Sequence, residues 1–412
     1  MKTKWMIGST VLVVCLFLSA CSTEGEVQEQ VEQRNIEFFQ TKENAVTFFD
    51  EIIHEFELEN PHITIEQVSI PDGMAVLKTR IARGDVPDIF ITYPIEQDYV
   101  VRANNGYLLD ITDETFIQQV DEDIQSRYLI NGRMYGVALS QNAVGVIYNK
   151  DAFNELGLEI PETWDQFIET LELLELAQKQ PILFANKELE SVSVFNLNLV
   201  ANEFDSNYWS SLTSGLVNIQ NDPRWEEIAE KMLAVLEFAQ DNSFSYDTDA
   251  VIKSFSIGEG AMFVSGVWAL PELEKLEPNI NYGMFPFPAT NDPENNKILG
   301  GVDGGFAIAA NTEYPEEAKQ FLAFLLEQEN AQRFSDFEGN ISAVNGVKMN
   351  KPEVSLLAER VNEGKSVNWP NHYWSGGTAA ETDYRRISQL FYFDRDIPAY
   401  LKKLDSMFDQ YR

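Results

Sequence analysis

The chain has 412 residues, of which 44% are hydrophobic and 12% aromatic, a composition typical of a folded globular protein. Its 66 acidic and 30 basic residues give a formal net charge of −36, so its surface repels phosphate backbones and nucleic acid is excluded as a partner. Only Cys15 and Cys21 are cysteines, which excludes disulfides, cysteine-based zinc sites and cysteine nucleophiles from the rest of the chain. The length predicts two domains.

Residues 1–20 have the pattern of a leader for export. Lys2 and Lys4 precede a mostly apolar run that is too short to span a membrane comfortably, and small residues follow it. The residues at 18–21, Leu-Ser-Ala-Cys, resemble the lipobox of bacterial lipoproteins. This resemblance implies cleavage before Cys21, attachment of lipid to Cys21, and tethering to the extracytoplasmic face of the cell membrane. An ordinary signal with a chance cysteine is the alternative.

Residues 21–34 are polar and acidic, and they predict a flexible tether. Beyond it, apolar runs and helical spacing alternate. The patterns predict strands at 35–39, 63–68 and 87–92, and helices at 45–59 and 73–83. This order indicates an α/β fold with a largely parallel sheet. Because ligands of such sheets bind outside the carboxyl ends of strands, the loops at 40–43, 92–97 and 140–143 become candidate ligand loops.

A series of short segments then extends along the chain, in the order 84–90, 131–137, 145–153, 157–167, 255–268, 282–288 and 300–308. Together they resemble the extracellular solute-binding proteins of carbohydrate ABC importers, the maltose-binding-protein-like group. The match is weaker after Gly339. The resemblance implies a two-lobed periplasmic-binding-protein fold with hinge strands and a ligand cleft between the lobes. The predicted first lobe is 35–150 plus 284–310, and the second is 151–283 plus 311–412.

Sugar binding requires aromatic rings for the C–H faces of a pyranose and planar polar groups for its hydroxyls. The resemblance implies that Trp268 stacks on the sugar and that Tyr373 and Trp374 enter the cleft. The polar candidates come from the three loops and a glycine-rich segment: Gln40, Glu43, Thr92, Tyr93, Glu96, Gln141, Asn142 and Asp303. The alternatives are core or loop packing for the aromatic residues, a helix cap for Glu43 and a turn role for Asp303.

The resemblance implies a binding protein and not an enzyme, with no cofactor or metal. It would act as a monomer, capture a di- or oligosaccharide outside the membrane, and deliver it to the permease subunits of an ABC transporter. One alternative is an extracellular carbohydrate-active hydrolase that uses two carboxylates. Another is a sugar-sensing lipoprotein that reports to a membrane kinase. The mature chain has no Gly-X-Ser-X-Gly or complete P-loop motif.

Overall fold

A computed structural model describes residues 33–70, 73–94 and 97–412. Cys21, the leader and most of the predicted tether lie outside these residues. The strands are β1 Arg34–Phe39, β2 Ile63–Val68, β3 Ile89–Thr92, β4 Leu129–Ile130, β5 Arg133–Met134, β6 Val137–Ala138, β7 Ser140–Asn149, β8 Met262–Gly266, β9 Tyr282–Pro286, β10 Ile298–Val302, β11 Gly305–Ile308, β12 Ile341–Ser342 and β13 Ser366–Asn368. The helices are α1 Val46–Glu59, α2 Gly73–Ala82, α3 Gln97–Asn104, α4 Glu122–Gln125, α5 Lys150–Leu156, α6 Trp164–Leu176, α7 Leu189–Glu203, α8 Ser206–Thr213, α9 Pro223–Leu236, α10 Thr248–Ser256, α11 Leu270–Lys275, α12 Pro315–Leu325, α13 Gln328–Glu338, α14 Ser355–Asn362, α15 Gly377–Asp394 and α16 Ile397–Gln410.

The first sheet contains five strands in the order β2-β1-β3-β11-β6. β1 pairs in parallel with both β2 and β3, which confirms the predicted α/β order, whereas β11 pairs antiparallel with β3 and β6. The apolar face of α1 covers this sheet because its buried side chains recur at helical spacing. The ring of Phe49, on α1, lies 5.2 Å from that of Phe38 on β1.

The second sheet is organised around β7, a strand of ten residues. Its first residues pair with β12 and β10, and its later residues pair with β8 and β9. Since β6 ends at Ala138 and β7 begins at Ser140, the chain passes from one sheet to the other almost directly. The chain returns to the first sheet between β10 and β11, and after α13 it joins the second sheet at β12, although Ala343 and Val344, just after β12, still pack in the core around the first sheet. We refer to these three connections as the crossings.

Buried apolar side chains divide into one cluster around the first sheet and two around the second. We define the first lobe by the cluster at 36–139 and 302–344, and the second lobe by those at 143–299 and 354–408. This division differs from the predicted boundaries, which separated the lobes at 150, 284 and 311. Helices α12 and α13 belong to the first lobe because Phe324 lies 5.4 Å from Phe56 and Phe334 lies 5.1 Å from Phe48, ring to ring.

Within the described residues, no helix combines the length and the apolar character needed to cross a bilayer.

Candidate functional site

Two half-buried tryptophans lie side by side in the second lobe. Trp268 follows β8, and Trp369 follows β13. Their ring centroids are 6.3 Å apart, and the ring planes are inclined by 36°. A β-carbon on Gly266 would lie only 1.9–2.2 Å from ring carbons of Trp268, so the indole rests directly on the glycine backbone. The pair offers the aromatic surface that a sugar ring requires.

Polar side chains border this tryptophan pair. Asn142, on β7, accepts a hydrogen bond at Oδ1 from Nε1 of Trp369, at 3.3 Å. Asn368, at the end of β13, donates to the hydroxyl of Tyr373 at 3.2 Å. Tyr373 is 39% exposed, so its ring and hydroxyl remain accessible. Gly301 has a φ of +105°, a conformation that favours glycine, and a β-carbon there would lie 2.4 Å from Asn368 Oδ1.

A pocket of about 260 Å³ opens beside Trp268. Its apolar walls include Phe184, Phe195 and Trp268, and its polar lining includes Glu190, Ser191 and Ser265. Mixed apolar walls with a few polar groups are typical of small-molecule sites. Glu188 also lines the pocket, but its carboxylate accepts hydrogen bonds from the backbone and hydroxyl of Thr248 and therefore holds the start of α10.

A buried charge cluster lies at the crossings. Nζ of Lys42 lies 2.6 Å from Oδ2 of Asp303 and 3.3 Å from a carboxylate oxygen of Glu338. Burial by itself lowers the pKa of Lys42, but the two carboxylates outweigh it and hold the pKa above its ordinary value. Burial raises the pKa of Glu338, and the Lys42 ammonium opposes that shift. Asp303 also accepts hydrogen bonds from the hydroxyl of Ser140 and the amide of Asn142.

Two of the predicted ligand-binding residues, Gln40 and Asp303, bind other groups of the protein, and a third, Thr92, is buried. Gln40 is fully buried, and its amide donates to Gln67 and accepts from the backbone N–H of Lys42. The carboxylate of Asp303 is engaged by the charge cluster. Thr92 is 1% exposed, and its hydroxyl, at the end of β3, has no hydrogen-bond partner. The polar groups of Gln40 and Asp303 are therefore engaged by other groups of the protein.

Trp374 lies apart from the tryptophan pair. It is 6% exposed, and its ring lies 4.8 Å from that of Tyr384, 5.2 Å from Phe408 and 5.7 Å from Trp209. These contacts make Trp374 a core residue of the second lobe. The predicted entry of Trp374 into the cleft is therefore wrong, whereas the entry of Tyr373 stays a prediction, because successive side chains leave the backbone in different directions.

The remaining predicted site residues differ in their exposure and in the elements that carry them. Glu43 is exposed at the start of a short 3₁₀ helix, and Gln141 is half-buried where β7 pairs with both β10 and β12. Tyr93 is half-buried, with its ring so close to Gly304 that a β-carbon there would lie 3.0 Å from it. Glu96 lies outside the described residues.

Sequence reasoning did not select Trp369, Asn368 or Lys42. Trp369 begins the same aromatic segment as Tyr373, and its contact with Trp268, its hydrogen bond to Asn142 and its partial exposure distinguish it from Trp374. Lys42 was visible as the basic residue of the first candidate loop, between Gln40 and Glu43. Its role depends on Asp303 and Glu338, which are distant in sequence.

Residues 41–332, well over half of the chain, match the family of bacterial extracellular solute-binding proteins. The chain belongs to this family. The multiple sugar-binding protein of Streptococcus mutans is 28% identical to this solute-binding protein over 367 residues, which cover 87% of each chain. The resemblance inferred from the sequence segments is thereby confirmed.

Solved structures support the same assignment. The solute-binding protein RafE in complex with raffinose is 26% identical, with a TM-score of 0.84 and coverage of 91% of this chain and 99% of that chain. The apo form of RafE from Streptococcus pneumoniae is also 26% identical, with a TM-score of 0.80 and coverage of 92% and 98%. The predicted two-lobed fold is therefore confirmed.

Proposed function

We propose that this solute-binding protein captures an oligosaccharide outside the cytoplasm and delivers it to the permease subunits of an ABC importer. The observation that carries the proposal is the tryptophan pair, Trp268 and Trp369, with Asn142 and Tyr373 at its border. Indole faces cover the C–H face of a pyranose, and amide and hydroxyl groups satisfy its hydroxyls. The names of the relatives, which bind multiple sugars and raffinose, agree with this chemistry.

The pocket beside Trp268 fits one end of such a ligand. Its volume of about 260 Å³ is just below the range of roughly 300–1,000 Å³ typical of drug-sized ligands. We infer that one sugar unit enters this pocket and that the rest of the chain extends along the tryptophan pair. The acidic charge of Glu190 in the lining favours neutral sugars over anionic ones.

The proposal describes a binding protein without catalysis. A glycosidase needs carboxyl groups on both sides of the scissile bond, free to act on it. The two buried carboxylates at the crossings, Asp303 and Glu338, are instead engaged by Lys42. Purified protein incubated with raffinose should leave the trisaccharide intact by chromatography. Turnover that disappears in a single-carboxylate variant would favour the hydrolase.

We further propose that the protein is a lipoprotein, cleaved before Cys21 and anchored by lipid on that residue. The Leu-Ser-Ala-Cys sequence at 18–21 supports this proposal, as does the extracellular location of the family. Residues 21–34 would then tether the folded lobes to the membrane as a monomer. Such an anchor keeps a loaded binding protein close to its permease.

A thermal-shift screen tests the proposed function. The panel contains raffinose, maltose, maltotriose and glucose, with glucose as the monosaccharide control. A ligand at a hundred times its dissociation constant stabilises the folded protein by about 2.7 kcal/mol, so the melting temperature should rise with an oligosaccharide. A screen in which no oligosaccharide of this panel, or of a wider one, raises the melting temperature would reject the proposal.

A further inference from the structure

Lys42 lies where the three crossings meet. Its ammonium contacts Asp303, which lies between β10 and β11, and Glu338, which ends α13 just before β12. Asp303 in turn accepts a hydrogen bond at 3.3 Å from the hydroxyl of Ser140, the first residue of β7. Lys42, Asp303 and Glu338 all lie in the first lobe, where the two carboxylates mark the first-lobe ends of two crossings, and the cluster reaches the third crossing through the hydroxyl of Ser140.

The charge cluster is largely shielded from water, so the attraction between the Lys42 ammonium and the two carboxylates is strong. The side chains of Lys42, Asp303 and Glu338 are 13%, 11% and 3% exposed. Charges interact more strongly where water is excluded, and removal of one partner leaves the others buried and uncompensated. Glu338 also accepts a hydrogen bond from Asn340 at 2.6 Å, so its orientation is fixed on both sides. Any movement of Asp303, or of the end of α13, that separates these carboxylates from Lys42 is therefore unfavourable.

The same cluster reaches the tryptophan pair. Oδ1 of Asp303 accepts a weak hydrogen bond from the amide of Asn142 at 3.5 Å, and Asn142 accepts from the indole N–H of Trp369 at 3.3 Å. The side-chain amide of Asn142 therefore makes both contacts, with its nitrogen donating to Asp303 and its oxygen accepting from Trp369. A continuous chain of polar contacts thus extends from Lys42, in the first lobe, to Trp369, in the second lobe.

We propose that Lys42 is a positioning residue for ligand capture, which holds Asp303 in contact with Ser140 and Asn142 at the crossings and thereby keeps Trp369 beside Trp268. The inference rests on the proposed function but assigns to Lys42 no contact with sugar.

The first test requires no ligand. Hydrogen exchange is measured at the amides of Asp303 and Ala343, which donate across the crossings to the carbonyls of Ser140 and Leu139 at 3.0 and 3.1 Å. Lys42→Met should accelerate exchange at these two amides by about 5- to 150-fold, the range of typical coupling energies, while amides of β1 and β2 stay protected. Unchanged exchange at the crossings, or equal acceleration throughout the first lobe, would overturn the proposal.

Two variants control this test. Lys319→Met removes a first-lobe lysine that also bridges two carboxylates, Glu114 at 2.9 Å and Glu316 at 2.8 Å, neither of which lies at a crossing. Its side chain is 19% exposed, close to the value for Lys42, and this variant should leave the crossings unchanged. Lys42→Arg keeps the charge and should restore most of the protection. If Lys42→Met fails to fold, Asp303→Asn replaces it, and normal exchange at Ala343 in that variant would overturn the proposal.

The second test uses raffinose in a calorimetric titration, or the panel sugar that gives the largest thermal shift. Lys42→Met should raise the dissociation constant by about 5- to 150-fold, Lys42→Arg should recover it, and Lys319→Met should match the wild type. Wild-type affinity in Lys42→Met would overturn the positioning role. If the wild type binds no sugar, the proposed function fails, while hydrogen exchange still decides whether Lys42 holds the crossings.

Discussion

Replacement of Trp268 by alanine tests whether this residue contacts the ligand or belongs to the core. Trp374, in the same lobe, provides the matched control. Trp268 is half-buried, rests on Gly266, borders the pocket and contacts Trp369 at 6.3 Å between ring centroids. Its loss should weaken sugar binding by about 1–4 kcal/mol, the range from simple stacking to a binding hot spot. The dissociation constant should therefore rise by about 5- to 1,000-fold.

Trp374→Ala should give the opposite pattern. Trp374 is 6% exposed and packs against Trp209, Tyr384 and Phe408, so its removal leaves a cavity in the second lobe. The free energy of unfolding should fall by about 3–5 kcal/mol, whereas Trp268→Ala should change it far less. Each variant is titrated with raffinose by calorimetry and unfolded in urea. Full affinity in Trp268→Ala, or its destabilisation to the same extent as Trp374→Ala, would refute the assignment of Trp268.

Three further predictions follow from particular contacts. Gly266→Val should displace the Trp268 indole and weaken raffinose binding about as much as Trp268→Ala, and unchanged affinity in the titration would contradict it. Burial lowers the pKa of His372 to about 3, below its unfolded pKa near 6.5. As the pH falls below about 6.5, the unfolded state binds a proton at His372 that the folded state does not, so the free energy of unfolding decreases by about 1.4 kcal/mol per pH unit. Urea unfolding at pH 5 and 7 should show a smaller loss in His372→Phe than in the wild type, and equal losses would argue against this account. Cys21→Ser should remove membrane attachment, or leave the leader uncleaved, in cell fractionation, and a wild type without lipid would contradict the lipoprotein proposal.

The amino-terminal strands and helices were predictable because their signals are local. The observed β1, β2 and β3 match the predicted strands to within two residues, and α1 begins one residue after its predicted start. The lobe boundaries were not predictable in the same way. The amphipathic pattern of α12 marks a buried face but contains no information on which lobe covers it. Only the packing of Phe321 and Phe324 against Phe56 assigns this helix to the first lobe.

The candidate site likewise contains residues that local sequence signals identify and residues whose contacts depend on partners distant in the sequence. The resemblance implied a stacking role for Trp268, which lies at the aromatic surface, and Asn142 was selected from the loop before the hinge strand. Gln40 was selected because polar residues at strand ends often face ligands, and Asp303 because it lies in a glycine-rich loop. Their side chains contact Gln67 and Lys42 instead, since a buried polar group requires a partner. No local pattern reveals such a partner when it lies 261 residues away, as Lys42 does from Asp303.

A crystal structure with the sugar identified by the thermal-shift screen tests the central claim most directly. The account predicts electron density for a sugar between the lobes, with one pyranose face in van der Waals contact with the indole of Trp268 and hydroxyls within hydrogen-bond distance of Asn142 or Tyr373. One sugar unit should occupy the pocket beside Trp268. Density at a different surface, or a sugar between the lobes without contact to Trp268 and Trp369, would contradict the account.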